Sequence, residues 1–127
     1  MILGTGIDIV EVARMKRAYD RWGPRFAERI LTEAERSAML ARNDGATYLA
    51  SRFAAKEAFL KALGTGYAQG VSWYDMEVLR KKGERPCLHV SGRARELMKA
   101  MTAEKIHLSI SHEKKFALAQ VILENSK

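Results

Sequence analysis

The sequence predicts an α+β fold in which a largely antiparallel sheet packs against one long central helix. Residues 46–63 are rich in Ala, Leu, Lys and Glu and contain neither Gly nor Pro, which favours a single long helix. Residues 106–111 alternate apolar with polar side chains, and residues 116–123 are apolar apart from Gln120, as expected of strands. The order strand, helices, strands, helix, strands is that of an α+β domain.

Each further element has its own local signal. Ile7 and Ile9 alternate with Gly6 and Asp8 in the first predicted strand, although glycine weakens a strand. A capping-box pattern, TEAE at residues 32–35, opens one of the helices. The last strand is expected to be central because it is apolar on both faces. The remaining elements are predicted as strands at 2–10, 71–82 and 88–91, and helices at 11–22, 26–31, 32–42 and 92–101.

Length and composition point to one domain spanning residues 1–127. No apolar run has the length of a membrane span, and the first residues lack the charged and apolar regions of a signal peptide. The only cysteine, Cys87, has no partner for a disulfide within the chain and is interpreted as a packing residue. We therefore expect a cytoplasmic protein with no membrane partner.

The formal net charge of +7 favours an anionic partner: nucleic acid, a phosphate-rich small molecule or an acidic protein. Arg14, Arg17 and Arg21 have helical spacing and form one stripe, and Arg25 follows the break at Gly23 and Pro24. A solvated helix face is the ordinary explanation of such a stripe. Four arginines with few acids among them also suit the binding of carboxylates. The apolar side of the same helix is predicted to contain Met15, Ala18, Tyr19 and Trp22.

Candidate site residues stand out where charged side chains interrupt apolar surroundings. Asp8 lies within an apolar strand, where burial without a cation or several donors would be costly, unless it caps the next helix. Glu57 and Lys61 lie four residues apart on one helix face, which in isolation is the pattern of a surface salt bridge. Asp8 and Glu57 have the chemistry to hold a hard cation such as Mg²⁺ beside phosphate. Arg52, Lys61 and His112 would then neutralise the remaining phosphate charge.

Three segments together resemble the signatures of the 4′-phosphopantetheinyl transferases. They are GTGID at residues 4–8, RFAAKEAFLKALGTG at residues 52–66 and SISH at residues 109–112. The short length and the early aspartate are similar to the small class of that superfamily, the holo-acyl-carrier-protein synthases. The resemblance spans nearly the whole chain, with its segments in the order found in the family.

This resemblance implies transfer of the phosphopantetheine arm of coenzyme A to a serine of apo acyl carrier protein. It assigns Mg²⁺ to Asp8 and Glu57, with Glu57 also helping to deprotonate the serine, directly or through water. Lys61 would stabilise charge on the phosphates and the leaving group. Arg52 and His112 would contact coenzyme A phosphates.

The resemblance also bears on the glycines, the assembly and the docking of the carrier protein. Gly64 and Gly66 end the long helix, and their backbone would leave room for the nucleotide; the loop at 64–70 is expected to be mobile or to contact ligand. A homotrimer with sites between subunits is implied. An acyl carrier protein is typically acidic, so the stripe of Arg14, Arg17, Arg21 and Arg25 is its expected docking surface. Larger relatives place a second acid two residues after the metal aspartate, where this chain has Val10.

Two other functions remain open from the sequence. A small basic nucleic-acid-binding domain fits the charge, but no aromatic ribonucleoprotein motif, zinc-ligand spacing or long lysine run supports it. A non-catalytic coenzyme-A-binding module would keep the phosphate contacts without transfer. The sequence leaves open the preferred carrier protein, the acceptance of acylated coenzyme A, the general base and the choice between Mg²⁺ and Mn²⁺.

Overall fold

The elements follow the predicted order along the chain, in a computed structural model that describes residues 1–66 and 68–127. Five strands and five α-helices are present in these residues. Their bounds are β1 Ile2–Glu11, α1 Val12–Trp22, α2 Pro24–Ile30, α3 Glu33–Leu40, α4 Gly45–Leu63, β2 Met76–Leu79, β3 Cys87–Val90, α5 Gly92–Ala100, β4 Lys105–His112 and β5 Phe116–Glu124. Within this part of the chain, no helix has the length and hydropathy needed to cross a bilayer.

The main sheet is antiparallel and has the strand order β1-β5-β4, so β5 is central as predicted. Ala117, Ala119, Val121 and Leu123 of β5 are fully buried beneath α4. The hairpin of β2 and β3 forms a second, separate antiparallel sheet. The α+β class with a central helix is thereby confirmed.

Helix α4 is the core of the domain rather than a surface helix, since 14 of its 19 residues are buried. The Asp44 carboxylate accepts a hydrogen bond from the Thr47 N–H and caps its start. Gly64 ends it in the left-handed conformation, with φ of 82°. The main sheet covers one side of α4, and helices α1 and α3 and strand β2 of the hairpin contact its other sides.

Strand β1 lies unusually close to α4 because two of its residues have no side chain. A Cβ on Gly6 would lie 1.9 Å from the Ala58 carbonyl oxygen, and a Cβ on Gly4 would lie 2.2 Å from that of Ala62. Both distances are far below van der Waals contact. The two glycines, which weaken the strand pattern, are thus the residues that let β1 pack on the helix backbone.

The outer face of the main sheet is apolar but uncovered in the single chain. Ile7 and Ile9 of β1 are 56% and 62% exposed, and Phe116 and Leu118 of β5 are 40% and 36% exposed. Ile9 pairs directly with Leu118, so the four side chains form one patch, which we call the outer patch. The prediction that β5 is apolar on both faces is right, yet only one of those faces is buried by this chain.

The long strand predicted at residues 71–82 is wrong. The Ser72 hydroxyl accepts a hydrogen bond from the Tyr74 N–H, and the Asp75 carboxylate accepts one from the Ser72 N–H. These bonds form a capping box that starts a single 3₁₀ turn, Trp73–Asp75, before β2. Local side-chain bonds to the backbone therefore replace the first half of the predicted strand.

Two side chains predicted to be packed are exposed instead. Trp22, placed on the apolar side of α1, is 61% exposed, and the Arg21 guanidinium lies 4.9 Å from its ring centroid. Cys87, interpreted as a packing residue, is an exposed free thiol. The next residue, Leu88, has the opposite orientation in β3 and is the buried one. Helical spacing thus placed Trp22 on the wrong side of a short helix, and the lack of a partner did not make Cys87 a packing residue.

We expect Gly6→Ala to lower the free energy of unfolding by about 1–3 kcal/mol or more, because the new methyl group meets a backbone carbonyl that cannot rotate away. Gly45→Ala is the matched control: its Cβ meets only the flexible end of Met39, and alanine favours the helix. Urea denaturation followed by circular dichroism measures both variants. Equal stability of Gly6→Ala and the wild type would contradict the close approach.

Candidate functional site

Asp8, Glu57 and Lys61 define the first part of the site, which we call the carboxylate half-site. The Lys61 Nζ lies 3.0 Å from the Asp8 Oδ1 and donates a second hydrogen bond, of 2.9 Å, to the Ile7 carbonyl oxygen. The Asp8 side chain is only 15% exposed, whereas that of Lys61 is 52% exposed. Gly4, Gly6 and Asp8 alternate along β1, so the same close approach that needs the glycines holds Asp8 over α4.

The alternative role of Asp8, that of a helix cap, does not match the structure. Helix α1 has Glu11 at its N-cap, and no side chain of the described residues makes a capping bond there, so Asp8 does not cap it. Lys61 pairs with Asp8 of β1, so this ion pair joins two elements. The partly buried Glu57 lies one turn before Lys61 on that helix.

The donor set of the carboxylate half-site fits a hard divalent cation. Asp8 and Glu57 offer carboxylate oxygens, which Mg²⁺ prefers, and a two-carboxylate site leaves positions for phosphate and water. No cluster of three or more metal-ligating side chains occurs among the residues that the structure describes, which agrees with Val10 in place of a second acid. The metal would thus depend on oxygens that the substrate supplies.

Gly64 and Gly66 follow the carboxylate half-site at the end of α4, with φ angles of 82° and 56°. No described atom lies within 4 Å of a Cβ built on either residue. Glycine is therefore favoured at both positions by the positive φ angle and not by close packing within the chain. The room for a nucleotide stays a prediction. Tyr67, in the loop predicted to be mobile or to contact ligand, lies outside the described residues.

Arg52 and His112 line a separate cavity of about 900 Å³, which we call the basic cavity. It lies between the first two turns of α4, the loop joining β2 to β3 and the end of β4. Three carboxylates, Asp44, Glu84 and Glu113, also line it. Cationic side chains outnumber them: Arg42, Arg52, Arg80, Arg85 and Lys114. Such a cavity suits a ligand with several anionic groups.

The Arg52 side chain is buried with unused hydrogen-bonding capacity. It is 7% exposed, its guanidinium lies 4.2 Å from the Tyr48 ring centroid, and its Nη1 donates to the Ser51 Oγ at 3.1 Å. Burial lowers the pKa of Arg52, while Tyr48 opposes the shift. Its buried Nε has no hydrogen-bond partner among the residues that the structure describes. An unpaired buried donor is costly, so the guanidinium has hydrogen-bonding capacity that the rest of the chain does not use.

The structure does not bring all the predicted site residues together in one chain. Arg52 and Glu57 are five residues apart on α4, so they point about 140° apart around the helix axis. Asp8 and His112 lie on the two edge strands of the β1-β5-β4 sheet, with β5 between them. None of Asp8, Glu57 and Lys61 lines the basic cavity. The single chain therefore contains two half-sites.

The arginine stripe is exposed along its whole length, at Arg14, Arg17, Arg21 and Arg25. Arg17 makes a 3.5 Å contact with Glu11, and both side chains are at least half exposed. Trp22 adds an exposed aromatic surface beside Arg21. The stripe thus combines exposed cations with an exposed apolar side chain.

Several residues of the basic cavity were missed at the level of sequence. Tyr48 lies between two guanidinium groups, those of Arg42 and Arg52, at 4.9 and 4.2 Å from its ring centroid. Arg80 lies in the predicted strand at 71–82, and Arg85 lies in the turn that follows it. Charged residues are common in both settings, so neither arginine indicated a site. The spacing of Tyr48 and Arg52, four residues apart in a helix, was the available signal for one of these contacts.

Comparisons with known proteins identify the family of this chain. Residues 4–121 match the family model of the 4′-phosphopantetheinyl transferase superfamily. The holo-[acyl-carrier-protein] synthase of Maridesulfovibrio salexigens is 49% identical over 124 residues, covering 98% of this chain and 99% of that protein.

Two solved structures have the same fold. That of a Bacillus anthracis holo-(acyl-carrier-protein) synthase in complex with coenzyme A (3′,5′-ADP) is 44% identical, with a TM-score of 0.82 and 99% of each chain covered. The enzyme of the same name from Neisseria meningitidis is 35% identical, with a TM-score of 0.90, covering 98% of this chain and 100% of that one. Sequence and fold agree, and the chain belongs to the 4′-phosphopantetheinyl transferase superfamily.

Proposed function

We propose that this chain transfers the 4′-phosphopantetheine group of coenzyme A to a serine of apo acyl carrier protein. The co-product is adenosine 3′,5′-bisphosphate, and the holo carrier protein serves fatty acid biosynthesis. Membership of the superfamily and full-length similarity to holo-[acyl-carrier-protein] synthases support the reaction. One observation carries the assignment of residues: a carboxylate-and-lysine site and a basic cavity occur on the same helix. With one cysteine and no disulfide within the chain, we place the reaction in the cytoplasm.

The carboxylate half-site carries the chemical step in this proposal. Asp8 and Glu57 would hold Mg²⁺, which when bound neutralises charge on the pyrophosphate of coenzyme A. Glu57, directly or through one water, accepts the proton of the attacking serine. Lys61, already held beside Asp8, stabilises negative charge on the phosphates and the leaving group. Phosphoryl transfer needs mainly such positioning and neutralisation.

The basic cavity binds the phosphates that do not react. The Arg52 guanidinium and the neighbouring arginines supply positive charge, and the His112 ring offers a further polar contact. Binding energy from this remote end holds the reacting phosphate at the carboxylate half-site. The two half-sites must therefore face one another when the substrate is bound.

A homotrimer in which each site forms between neighbouring subunits satisfies this requirement. Two observations support it: the half-sites are separate within one chain, and the outer patch is an apolar surface that a second copy would cover. In such an assembly the carboxylate half-site of one subunit faces the basic cavity of the next. The arginine stripe then docks the acidic carrier protein, with Trp22 as its apolar contact.

The reaction itself is tested by incubating the protein with coenzyme A, Mg²⁺ and apo acyl carrier protein and measuring the mass of the carrier. A phosphopantetheine gain on one serine supports transfer. Coenzyme A binding with no gain would instead support a non-catalytic binding module. Binding of nucleic acid with neither result would support the remaining alternative.

We expect Asp8→Ala and Glu57→Ala each to lower turnover strongly while the fold is kept. Loss of one ligand from a two-carboxylate site should remove on the order of 3 kcal/mol of transition-state stabilisation or more. Steady-state rates at limiting Mg²⁺ measure the effect, and Glu33→Ala, an exposed acid on α3, is the control. Near-normal activity of both variants would show that the metal assignment is wrong.

Mixing experiments test the shared site. Glu57→Ala damages the carboxylate half-site and Arg52→Met the basic cavity, so co-expression of the two variants should restore about a quarter of wild-type activity in randomly mixed rings. Co-expression of Asp8→Ala with Glu57→Ala, which damage the same half-site, should restore nothing. Equal activity from both mixtures would contradict a site shared between subunits.

Arg14→Glu with Arg21→Glu should raise the KM for the carrier protein by about tenfold or more, through like-charge repulsion during encounter. The dissociation constant for coenzyme A should change little, and salt should weaken the wild type more than the variant. Arg95→Glu with Lys99→Glu, exposed on α5, changes the net charge equally and is the matched control. Normal carrier binding with lost coenzyme A affinity would place the stripe at the nucleotide instead.

A further inference from the structure

A fully buried ion pair joins three elements beside the basic cavity. The Lys56 Nζ lies 2.6 Å from the Glu35 Oε1, and both side chains are 0% exposed. Lys56 also donates to the Ile30 carbonyl oxygen at 2.6 Å. Glu35 accepts from the Thr32 N–H at 2.8 Å and from the Val78 N–H of β2 at 2.7 Å. The carboxylate thus contacts α4 through Lys56 and β2 through its backbone.

Stability alone is a weak reason for such a pair. Removing two charges from water is costly, and uncharged replacements of buried pairs are often no less stable. Desolvation of the fully buried Lys56 ammonium is unfavourable, and the Glu35 carboxylate 2.6 Å away opposes it. What an ion pair supplies beyond an apolar contact is a fixed direction and distance between the groups that it joins.

The geometry that this pair fixes belongs to the basic cavity. Lys56 follows Arg52 by one turn of α4, and Val78 precedes Arg80 by two residues of chain. Arg52 and Arg80 line the cavity from different elements. The hairpin that leads to Arg80 shares no strand pairing with the main sheet among the described residues, so backbone ladders do not set its position. A second bond, from the Thr32 hydroxyl to Glu77, attaches β2 to the same end of α3.

We propose that Glu35 and Lys56 are positioning residues that hold the β2–β3 hairpin, and with it Arg80, against Arg52 for the binding of coenzyme A. This inference rests on the proposed function. Glu35 sets the distance between α4 and β2, and that distance sets how Arg52 and Arg80 share the phosphates of one ligand. Neither residue of the pair touches the substrate.

The first test is the neutral variant Glu35→Gln with Lys56→Met, which keeps side-chain volume and one backbone acceptor. Its folded fraction is checked by circular dichroism, and activity is measured below its unfolding transition. We expect the KM for coenzyme A to rise on the order of tenfold. The KM for the carrier protein and kcat should change less than about threefold, because the carboxylate half-site is untouched. A folded variant with an unchanged KM for coenzyme A would overturn the proposal.

A mutant cycle separates positioning from general loosening of the fold. Arg80→Ala is made in the wild type and in the neutral variant, and the affinity for adenosine 3′,5′-bisphosphate is measured by calorimetry. If the pair acts through Arg80, this substitution weakens binding clearly in the wild type and only slightly in the neutral variant. Equal effects in both backgrounds, or no effect in the wild type, would overturn the proposal.

Glu35→Asp keeps the test decisive if the neutral variant fails to fold. This variant retains the negative charge, but its side chain is one methylene shorter. The carboxylate can then no longer reach both Lys56 and the Val78 N–H at their present positions. We expect the same selective rise in the KM for coenzyme A, and an unchanged value would count against positioning. Failure of the wild type to bind coenzyme A would contradict the proposed function instead, which distinguishes the two ideas.

Discussion

The contact between β1 and the backbone of α4 is the constraint on which the rest of the structure depends. Gly4 and Gly6 bring the strand so near that a single methyl group would overlap a helix carbonyl oxygen. The partners on the helix, Ala58 and Ala62, are themselves among its smallest residues. Asp8, the next inward position of the strand, is thereby placed within reach of Lys61. One packing contact thus places the Asp8 carboxylate beside Lys61, with which it forms an ion pair.

The electrostatics of α4 follow from its burial. The charged side chains of a helix that is enclosed on nearly all sides can reach solvent only between the elements packed against it. Each of them does so at a different place or not at all. Lys61 is exposed beside β1, and Arg52 lines the basic cavity. Lys56 is fully buried, and its charge is paired with that of Glu35. Three cationic residues of one helix therefore lie in three different environments: beside β1, in the basic cavity and in the buried core.

Much of the fold and part of the site were predictable from the sequence. Helix-favouring composition and Gly64 identified α4, polar alternation identified β4, and an apolar run identified β5. The TEAE pattern identified the Thr32 capping box, and the three quoted segments identified the family. The failures have local causes: side-chain capping by Ser72 and Asp75 shortened a strand, and Trp22 lies on the exposed side of a short helix. Arg80 and Arg85 were missed because only tertiary packing brings their turn to Arg52. The partner of Lys56, Glu35, lies 21 positions away in the sequence, so no local spacing indicates the pair.

The strand order has a consequence for how the chain folds during synthesis. The central strand β5 is the last to be made, and β1, the first, pairs with it from Ile2 opposite Glu124. Until β5 is available, both β1 and β4 lack their hydrogen-bonding partner in the main sheet, and α4 lacks the apolar surface that covers it. The sheet is therefore closed by contacts between segments far apart in sequence, which slows folding and delays it until β5 has been synthesised. During that interval the nascent chain exposes unpaired strand edges and the side of α4 that β5 covers, a period in which protection by chaperones has most to contribute.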